Sequence, residues 1–224
     1  MAAKSTKRGG GRRAGGAARG RPRRSAEQSD AVRVRVAEVA RRLFAEEGFA
    51  AVSIRRIAEA SGCGAMTLYG YFRSKNEILR HVWEDFFAEL FRRIARVTAR
   101  GTPAQKLQRA CAAFVDYWCE HPQHYRIVFL NQDVAGGGER TYVEASTVVD
   151  RFEAFREWIA AMQADGSGRA GDPQRLSEAL ICALIGLCHA WVTIPEYRWQ
   201  PRAALLDATL AIVRRDAPAS QPAP

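Results

Sequence analysis

Residues 53–75 read Ser-Ile-Arg-Arg-Ile-Ala-Glu-Ala-Ser-Gly-Cys-Gly-Ala-Met-Thr-Leu-Tyr-Gly-Tyr-Phe-Arg-Ser-Lys, and they contain two short helical patterns. Ser53 is a typical N-cap for the first helix, which Ser61-Gly62 ends after about two turns. A second helix is predicted from Ala65 to Phe72. Two short helices joined by a glycine-containing turn have the spacing of a helix-turn-helix, whose second helix enters the DNA major groove.

The sequence on both sides of this stretch is helical as well. Apolar residues recur at helical spacing from Asp30 until Gly48 ends the first helix, and Ser74 caps a long helix that runs to about Val97. No strand-like alternation of useful length follows, so the predicted fold class is all-α with about nine helices. The remaining helices are predicted from Pro103 to His121, Gln123 to Leu130, Arg140 to Gln163, Pro173 to Ile194 and Pro201 to Arg214.

Composition restricts the class of protein. With 47% hydrophobic and 26% charged residues in 224, the chain is expected to be soluble and globular. Five cysteines, an odd number within helical patterns, argue for reduced thiols in a cytosol. The apolar stretch from Ala179 to Ile194 has 16 residues, whereas a membrane span needs roughly 20. No apolar segment follows the basic N-terminus as it would in a signal peptide, so we expect a cytoplasmic protein without a membrane segment.

Most of the net charge of +10 lies at the N-terminus. Residues 1–24 hold nine Lys and Arg and no acid, whereas the other 200 residues hold 25 bases against 24 acids. Residues 1–28 have almost no apolar side chain larger than Ala and are predicted to be a disordered basic tail, with a second disordered tail at 217–224. Arg19-Gly20-Arg21-Pro22 resembles the AT-hook core, which would place Arg21 in a narrow minor groove. The alternatives are a solvated tail or a misassigned start codon.

The motif residues resemble the DNA-binding domain of TetR-family transcriptional regulators. The family pattern is met at Ile57-Ala58, Ser61-Gly62, Thr67-Leu68-Tyr69, Tyr71-Phe72 and Ser74-Lys75. The resemblance implies a helix-turn-helix DNA-binding domain at 29–75 and a ligand-binding and dimerisation domain at 76–216. A small helical subdomain that merely packs onto the rest is the structural alternative for the first of these.

The resemblance also implies roles for single residues in DNA binding. Ser53 and Arg55 would contact the DNA backbone or bases from the first helix of the motif. Tyr69 and Tyr71 would contact phosphates or bases, and Lys75 a phosphate. The residues that would face base edges are Ala65, Met66, Thr67 and Gly70.

Three positions depart from the family pattern. Gly64 stands where a serine cap is usual, Ala65 where Lys or Gln is common, and Gly70 where a large residue is usual. These changes remove side chains that hydrogen-bond to bases. Sequence readout is therefore expected to depend on Met66 and Thr67 against thymine methyls, and on DNA shape.

Aromatic residues at helical spacing mark the C-terminal half, and most of them are expected to be core. Because the helices that follow the DNA-binding domain enclose a ligand pocket in TetR-like proteins, the resemblance implies that some line one. A mostly apolar small-molecule effector is expected in it. His189 is interpreted as a core or pocket histidine, and the alternative is a general base. The candidate pocket residues are Phe114, Trp118, Tyr125, Phe129, Phe155 and His189.

The helix from Pro173 to Ile194 is apolar nearly all round, so it needs burial on two sides. In the family the last two long helices form a four-helix interface with a second copy, and the final helix here is Ala203 to Val213. The alternative is burial within one monomer. The candidate dimer contacts are Ala183, Gly186, Ala190, Leu205, Ala208 and Ile212.

Metal and catalytic patterns are weak. Two pairs have a spacing at which both side chains could bind one metal ion from a helix: His121 with His124, and His81 with Glu84. No third or fourth ligand lies near either pair in the sequence, and a closed zinc site needs four. No nucleophile, base and orienting group occur together. We therefore expect no catalytic residues, no metal and no cofactor.

The resemblance thus implies a bacterial, nucleoid-associated regulator, in the role of a repressor. It would bind a palindromic operator in double-stranded DNA as a homodimer, and a small, largely apolar molecule would release it. Two alternatives stay open: an α-helical enzyme or metal carrier, and an architectural protein that binds DNA without operator choice.

Overall fold

The computed structural model describes residues 26–130 and 148–215. Within these ranges the chain is all-α, as the sequence predicts, and an isolated bridge between Gly168 and Arg214 is the only β contact. The described helices are α1 (Ala26–Glu47), α2 (Ile54–Ala60), α3 (Ala65–Tyr69), α4 (Lys75–Val97), α5 (Pro103–Glu120), α6 (Pro122–Phe129), α7 (Val148–Ala164), α8 (Pro173–Thr193) and α9 (Arg202–Leu210).

Helices α1 to α3 form a small head. Ser53 caps α2 as predicted, because its hydroxyl accepts a hydrogen bond from the Arg56 amide at 3.1 Å. Gly62 has a φ of +67°, a left-handed conformation that lets the chain turn sharply from α2 into α3. Ile57, Leu68 and Phe72 are fully buried in the core beneath this turn. The two short helices are therefore held in a fixed relation to α1.

The second motif helix is shorter than the sequence predicts. The pattern predicts a helix up to Phe72, but α3 ends at Tyr69 and Gly70 caps it. The amides of Tyr71 and Phe72 both bond to the Leu68 carbonyl, which tightens the chain after Gly70. Phe72 stays buried, so the apolar pattern is satisfied without another helical turn.

Helix α4 connects the head to the rest of the chain. The Ser74 hydroxyl accepts from the Glu77 amide at 3.1 Å, which confirms the predicted cap. Halfway along, Trp83 Nε1 donates to the Ile127 carbonyl of α6 at 3.1 Å. Helix α6 also packs against α1, so α4 and α6 both link the head to the other helices.

Helix α5 is central, since it packs against α4, α6, α7, α8 and α9. It begins with a capping box in which the side chains of Thr102 and Gln105 each bond to the other residue's backbone, and Pro103 is at its first turn. The predicted helix from Arg140 begins at Val148 in the structure, and positions 140–147 lie outside the described residues. The basic tail through residue 25 and the tail at 217–224 lie outside them too.

Both chain ends of the described part differ from the expected boundaries. Helix α1 begins at Ala26, within the stretch predicted to be a tail that ends at 28. Helix α9 is predicted to reach Arg214 but stops at Leu210. The chain turns there because the Val213 carbonyl accepts from the Arg169 amide at 2.8 Å and Val213 itself is fully buried. Contacts with the loop before α8 thus replace the last helical turn.

Helix α8 is apolar, yet little of it is covered. Its buried residues are spaced three or four apart and form one face: Ser177, Leu180, Leu184, Cys188 and Val192. By length and composition it is the one helix among the described residues that is apolar enough to cross a membrane, and 28% of its most apolar window is buried. A core helix of a protein that stays in water passes the same test when another helix covers its second side.

Candidate DNA-binding surface and effector region

The exposed side of α3 carries large side chains. Met66 is 86% exposed and Tyr69 50%, whereas Leu68 between them is buried in the head. An apolar side chain as exposed as Met66 gains nothing from the fold of the monomer. The face formed by Met66 and Tyr69 is therefore available to a partner.

The other predicted DNA contacts surround this face. Ser53 and Arg55 are exposed at the start of α2, although the Ser53 hydroxyl is engaged in the cap. Ala65, Thr67 and Tyr71 are half-buried. Gly70 is exposed, and a Cβ there would lie 3.2 Å from the Thr67 carbonyl oxygen, so a larger residue would crowd the end of α3. Arg21 lies outside the described residues.

Lys75 has a contact that the sequence did not reveal. Its ammonium donates to the Phe49 carbonyl at 2.7 Å and lies 4.1 Å from the centroid of the Phe49 ring. This bond ties the start of α4 to the loop between α1 and α2. A phosphate contact by Lys75 stays a prediction, and it would have to share or replace this bond.

Five of the six predicted pocket residues form one aromatic cluster at α5, α6 and α7. The Trp118 ring lies 6.2 Å from Phe114, 6.0 Å from Tyr125 and 5.3 Å from Phe129. Phe155 joins through Phe152, whose ring is 5.9 Å from it and 6.4 Å from Phe114. The sixth residue, His189, is exposed on α8, and its ring lies 6.3 Å from that of Tyr125.

Two polar atoms in this cluster differ in their hydrogen bonding. The Tyr125 hydroxyl donates to the Ile185 carbonyl at 3.2 Å, and burial raises its pKa to about 12. The Trp118 indole N–H is buried and has no hydrogen-bond partner among residues 26–130 and 148–215. Such a donor normally finds an acceptor, because leaving it unpaired costs about 1–3 kcal/mol.

Histidine and tyrosine side chains are stacked beside the aromatic cluster. The His124 ring stacks on Phe86 with centroids 3.9 Å apart, and its Nδ1 lies 3.3 Å from the Tyr117 hydroxyl. Burial lowers the pKa of His124 to about 4, so this ring is neutral at physiological pH. No group of three or more His, Cys, Asp or Glu within the described ranges is arranged to hold a metal ion.

Three surface cavities lie away from the aromatic cluster. One of about 320 Å³ is between α1 and α6, one of about 340 Å³ is between α5 and α9, and one of about 730 Å³ is at the loop before α8. None of these three is lined by the six predicted pocket residues.

Five of the six predicted dimer residues lie on the less buried side of α8 and α9, and the sixth, Ile212, follows the end of α9. Gly186 and Ala208 are exposed, and the other four, Ala183, Ala190, Leu205 and Ile212, are half-buried. A Cβ on Gly186 would meet no atom within 4 Å. This side of α8 opposes its buried face, so it has room for a closely packed helix from outside the monomer.

Comparison with known proteins supports the motif assignment. The sequence model described as "Bacterial regulatory proteins, tetR family" matches residues 36–82, which include α2, α3 and the start of α4. The chain belongs to the TetR family. The resemblance inferred from the motif is thereby confirmed, and the chain is a helix-turn-helix transcriptional regulator, not an enzyme.

One relative of this TetR-family chain is the HTH-type transcriptional repressor KstR2 of Rhodococcus jostii, 27% identical over 173 residues, 74% of this chain and 79% of the relative. Other curated relatives are matched over 63, 65 and 49% of their length. Among solved structures, NalD, the secondary repressor of the MexAB-OprM multidrug efflux pump in Pseudomonas aeruginosa, aligns with a TM-score of 0.67 at 20% identity, over 85% of this chain and 100% of that one.

FadR from Bacillus subtilis in complex with stearoyl-CoA aligns with a TM-score of 0.65 at 14% identity, over 80% of this chain and 96% of that one. At these identities both structural alignments show the TetR fold alone. The prediction of an all-α TetR-like architecture is therefore confirmed. The individual DNA, effector and dimer residues stay predictions.

Sequence reasoning missed two pairs of residues in this region. Lys75 and Phe49 are 26 positions apart, and Trp83 and Ile127, joined by the hydrogen bond from the indole N–H to the Ile127 carbonyl, are 44 apart. No local pattern marks either pair. Only the packing of the helices brings them together.

Proposed function

We propose that this TetR-family protein is a ligand-responsive repressor. It binds a palindromic operator as a homodimer, and a small, largely apolar molecule that carries a hydrogen-bond acceptor releases it. As a regulator of transcription it works in the cytoplasm, in association with the nucleoid. The observation that carries the proposal is the exposed Met66 and Tyr69 on the second helix of a helix-turn-helix.

The DNA-binding part of the proposal rests on the rigidity of the head. Helix α3 is short, but buried Leu68 and Phe72 fix it against α1 and the turn at Gly62 fixes its angle to α2. A fixed helix holds its exposed side chains in one geometry, which base readout in the major groove requires. Because Ala65 and Gly70 supply no polar side chain, Met66 and Thr67 carry most of the discrimination.

This division of roles predicts the effects of single substitutions. Met66→Ala is expected to change the ranking of operator variants, because it removes an apolar contact to base edges worth on the order of 1 kcal/mol. Tyr69→Ala is expected to weaken binding to all sequences by a similar factor, since phosphate contacts carry no sequence information. Competition binding against single-base operator variants measures both. Val97→Ala, which shortens an exposed apolar side chain at the far end of α4, is the control. An unchanged ranking for Met66→Ala would contradict its role.

The homodimer part rests on α8. The helix is apolar nearly all round, but its buried residues form a single face, and Gly186 opens onto free space on the other. Contact between the face that carries Gly186 and the same face of a second copy would bury the remaining apolar surface. The absence of a side chain at Gly186 would let the two helix backbones approach closely. Two heads related by a twofold axis then fit a palindrome with half-sites on one side of the DNA.

The effector part rests on the aromatic cluster. A molecule that enters between the rings of Trp118, Tyr125 and Phe129 would meet apolar surface and one unpaired donor, the Trp118 N–H. An acceptor on the ligand, such as a carbonyl oxygen, would satisfy that donor. A related fold, FadR, is known in complex with stearoyl-CoA, a ligand with an apolar chain and a carbonyl. The class expected here is therefore an apolar carbonyl compound.

The Trp118 N–H gives a direct test of the ligand class. Trp118→Phe is expected to lower the affinity for a long-chain methyl ketone about tenfold, because one buried hydrogen bond worth on the order of 1.5 kcal/mol is removed. The affinity for the alkane of equal length should stay nearly the same. Titration calorimetry measures both, and Trp158→Phe in α7 is the control for loss of indole volume. Equal losses for ketone and alkane would contradict the hydrogen bond.

Release requires that the effector favour one arrangement of the heads. A ligand that bound both arrangements equally would shift nothing, so it must bind the DNA-incompetent one more tightly. The structural route is short, since Tyr125 and Phe129 lie on α6, and α6 also carries the Ile127 carbonyl that holds Trp83 of α4. Parting the rings would move α6 and, through it, α1 and α4.

One experiment tests the proposed function as a whole. Selection from random double-stranded DNA by the full chain is expected to enrich a palindrome, and apolar carbonyl compounds are then screened for release of the protein from that site. Uniform binding to all selected DNA would instead favour the architectural alternative. Operator binding that no apolar compound relieves would overturn the effector part.

A further inference from the structure

One surface cavity lies where the head meets the rest of the chain. It has a volume of about 320 Å³, and α6 forms one of its walls, while the end of α1 and the loop after it form the other. None of its lining residues belongs to the aromatic cluster or to the predicted DNA contacts. The cavity is therefore separate from both sites of the proposed function.

Two phenyl rings make the head side of this cavity apolar. The rings of Phe44 and Phe49 lie edge to face, with their centroids 5.1 Å apart. Both side chains are fixed, because Phe44 is buried in the core and Phe49 is held by the hydrogen bond and the ring contact of Lys75. Ile127 adds aliphatic surface from α6. A flat aromatic ring suits this wall, because aromatic side chains pack best in edge-to-face or offset pairs.

The charge on the cavity wall is positive. Arg126 of α6 is the one charged residue among its lining residues, and none of them is acidic. One N–H of the Arg126 guanidinium donates to the Val192 carbonyl at the end of α8 at 3.0 Å, which holds the group in place. No ion pair among residues 26–130 and 148–215 neutralises it. A guanidinium has five N–H donors in a planar fork, and that fork matches the two oxygens of a carboxylate.

We propose that this cavity binds a small aromatic carboxylate, whose ring packs against Phe44 and Phe49 and whose carboxylate pairs with Arg126. Small-molecule sites are mostly apolar and contain a few polar groups that fix the orientation of the ligand, as this cavity does. Its volume is at the lower end of their usual range of about 300–1,000 Å³. That size suits one or two rings and not a long chain.

The position of the cavity gives the ligand a consequence for DNA binding. Helix α1 belongs to the head and α6 does not, so a ligand that contacts both binds best at the helix spacing of this structure. The effector of the aromatic cluster is expected to displace α6. By linkage the carboxylate and the effector therefore oppose each other. We expect the carboxylate to raise operator affinity about fivefold, a consequence that rests on the proposed function.

Binding is measured on the full chain without DNA, by equilibrium dialysis against 2-naphthoate. The expected result is saturable binding of one naphthoate per chain. The neutral 2-naphthamide has the same rings and nearly the same shape, and it should bind at least about tenfold more weakly because it cannot form the charged pair with Arg126. Equal affinities for the two compounds, or no saturable binding of naphthoate, would overturn the proposal.

A substitution of the arginine tests the charged pair. Arg126→Gln should lower the affinity for naphthoate to about that for naphthamide and leave the affinity for naphthamide nearly unchanged. Arg96→Gln removes the same charge at an exposed position near the end of α4 and is the matched control. Thermal unfolding shows whether Arg126→Gln is folded without its bond to Val192. If it is not, the comparison of the two compounds on the wild-type protein decides the role of the charge.

A second substitution tests the location of the site. Ala45 lines the cavity from α1 and is exposed, so Ala45→Phe should fill the space without disturbing the core and lower the affinity for both compounds at least about tenfold. Ala95→Phe, the same change at an exposed alanine of α4, is the control. Trp118→Phe in the aromatic cluster should leave naphthoate binding unchanged. Naphthoate binding that Trp118→Phe weakens and folded Ala45→Phe retains would place the ligand in the aromatic cluster and overturn the proposal.

The DNA readout is kept apart from the binding measurement. Affinity for the selected operator is compared with and without saturating naphthoate, and Ala45→Phe should abolish the expected increase. Unchanged or lowered operator affinity would overturn the regulatory consequence, while dialysis still establishes the site. Absence of operator binding by the ligand-free protein would be a failure of the proposed function, and dialysis would again decide the carboxylate site alone.

Discussion

Gly186→Arg is expected to yield a folded monomer that no longer binds its operator specifically. The substitution places a long charged side chain where the wild-type surface is open, so the fold of the monomer has room for it. A second copy of α8 packed against Gly186 would leave no room for this side chain. Loss of one of two heads should lower operator affinity by at least about 100-fold, because the second half-site no longer contributes.

Light scattering coupled to size-exclusion chromatography gives the mass, and thermal unfolding shows whether the variant is folded. Ala99→Arg adds the same charge at an exposed position beyond the end of α4 and should stay dimeric. A folded Gly186→Arg protein that keeps the dimer mass would show that this face of α8 is not the interface.

The helix starts were the most predictable part of this fold. Ser53, Ser74 and Thr102 each accept a bond from an amide three residues ahead, so their information is local and visible in sequence. The ends of α3 and α9 were less predictable. Helix α9 stops because the segment after it bonds to Arg169, which is more than forty positions away in sequence. Local periodicity contains no trace of such a contact.

The features of the candidate sites also differ in how far the sequence predicted them. The exposure of Met66 followed from its place in a motif, and the clustering of Trp118 with Phe114 and Tyr125 followed from helical spacing plus the resemblance. The exposure of His189 did not follow, because it depends on how α8 is rotated against the core. The rotation depends on which face of α8 packs inward. Because α8 is apolar nearly all round, its sequence determines that face only weakly.

The basic tail is expected to make the largest electrostatic contribution to DNA affinity. Deleting residues 1–24 removes nine positive charges and stops before α1 begins at Ala26, so the described fold should be unaffected. The slope of log K against log salt should become shallower by up to about 0.9 for each DNA phosphate that the tail no longer neutralises. Fluorescence anisotropy across a salt series measures it. A tail of equal length with the nine bases changed to glutamine separates charge from chain length.

The AT-hook-like segment makes a separate claim that single substitutions test. If Arg21 enters the minor groove, Arg21→Ala should lower affinity more on A·T-rich flanks than on G·C-rich ones, because the narrow groove of A·T tracts concentrates negative potential. Arg13→Ala removes the same charge outside the Arg-Gly-Arg-Pro sequence and should show no flank preference. A salt slope unchanged by the deletion would mean that the tail does not contact DNA. A changed slope with equal losses of affinity on both flanks would keep the electrostatic role of the tail and reject the minor-groove role of Arg21.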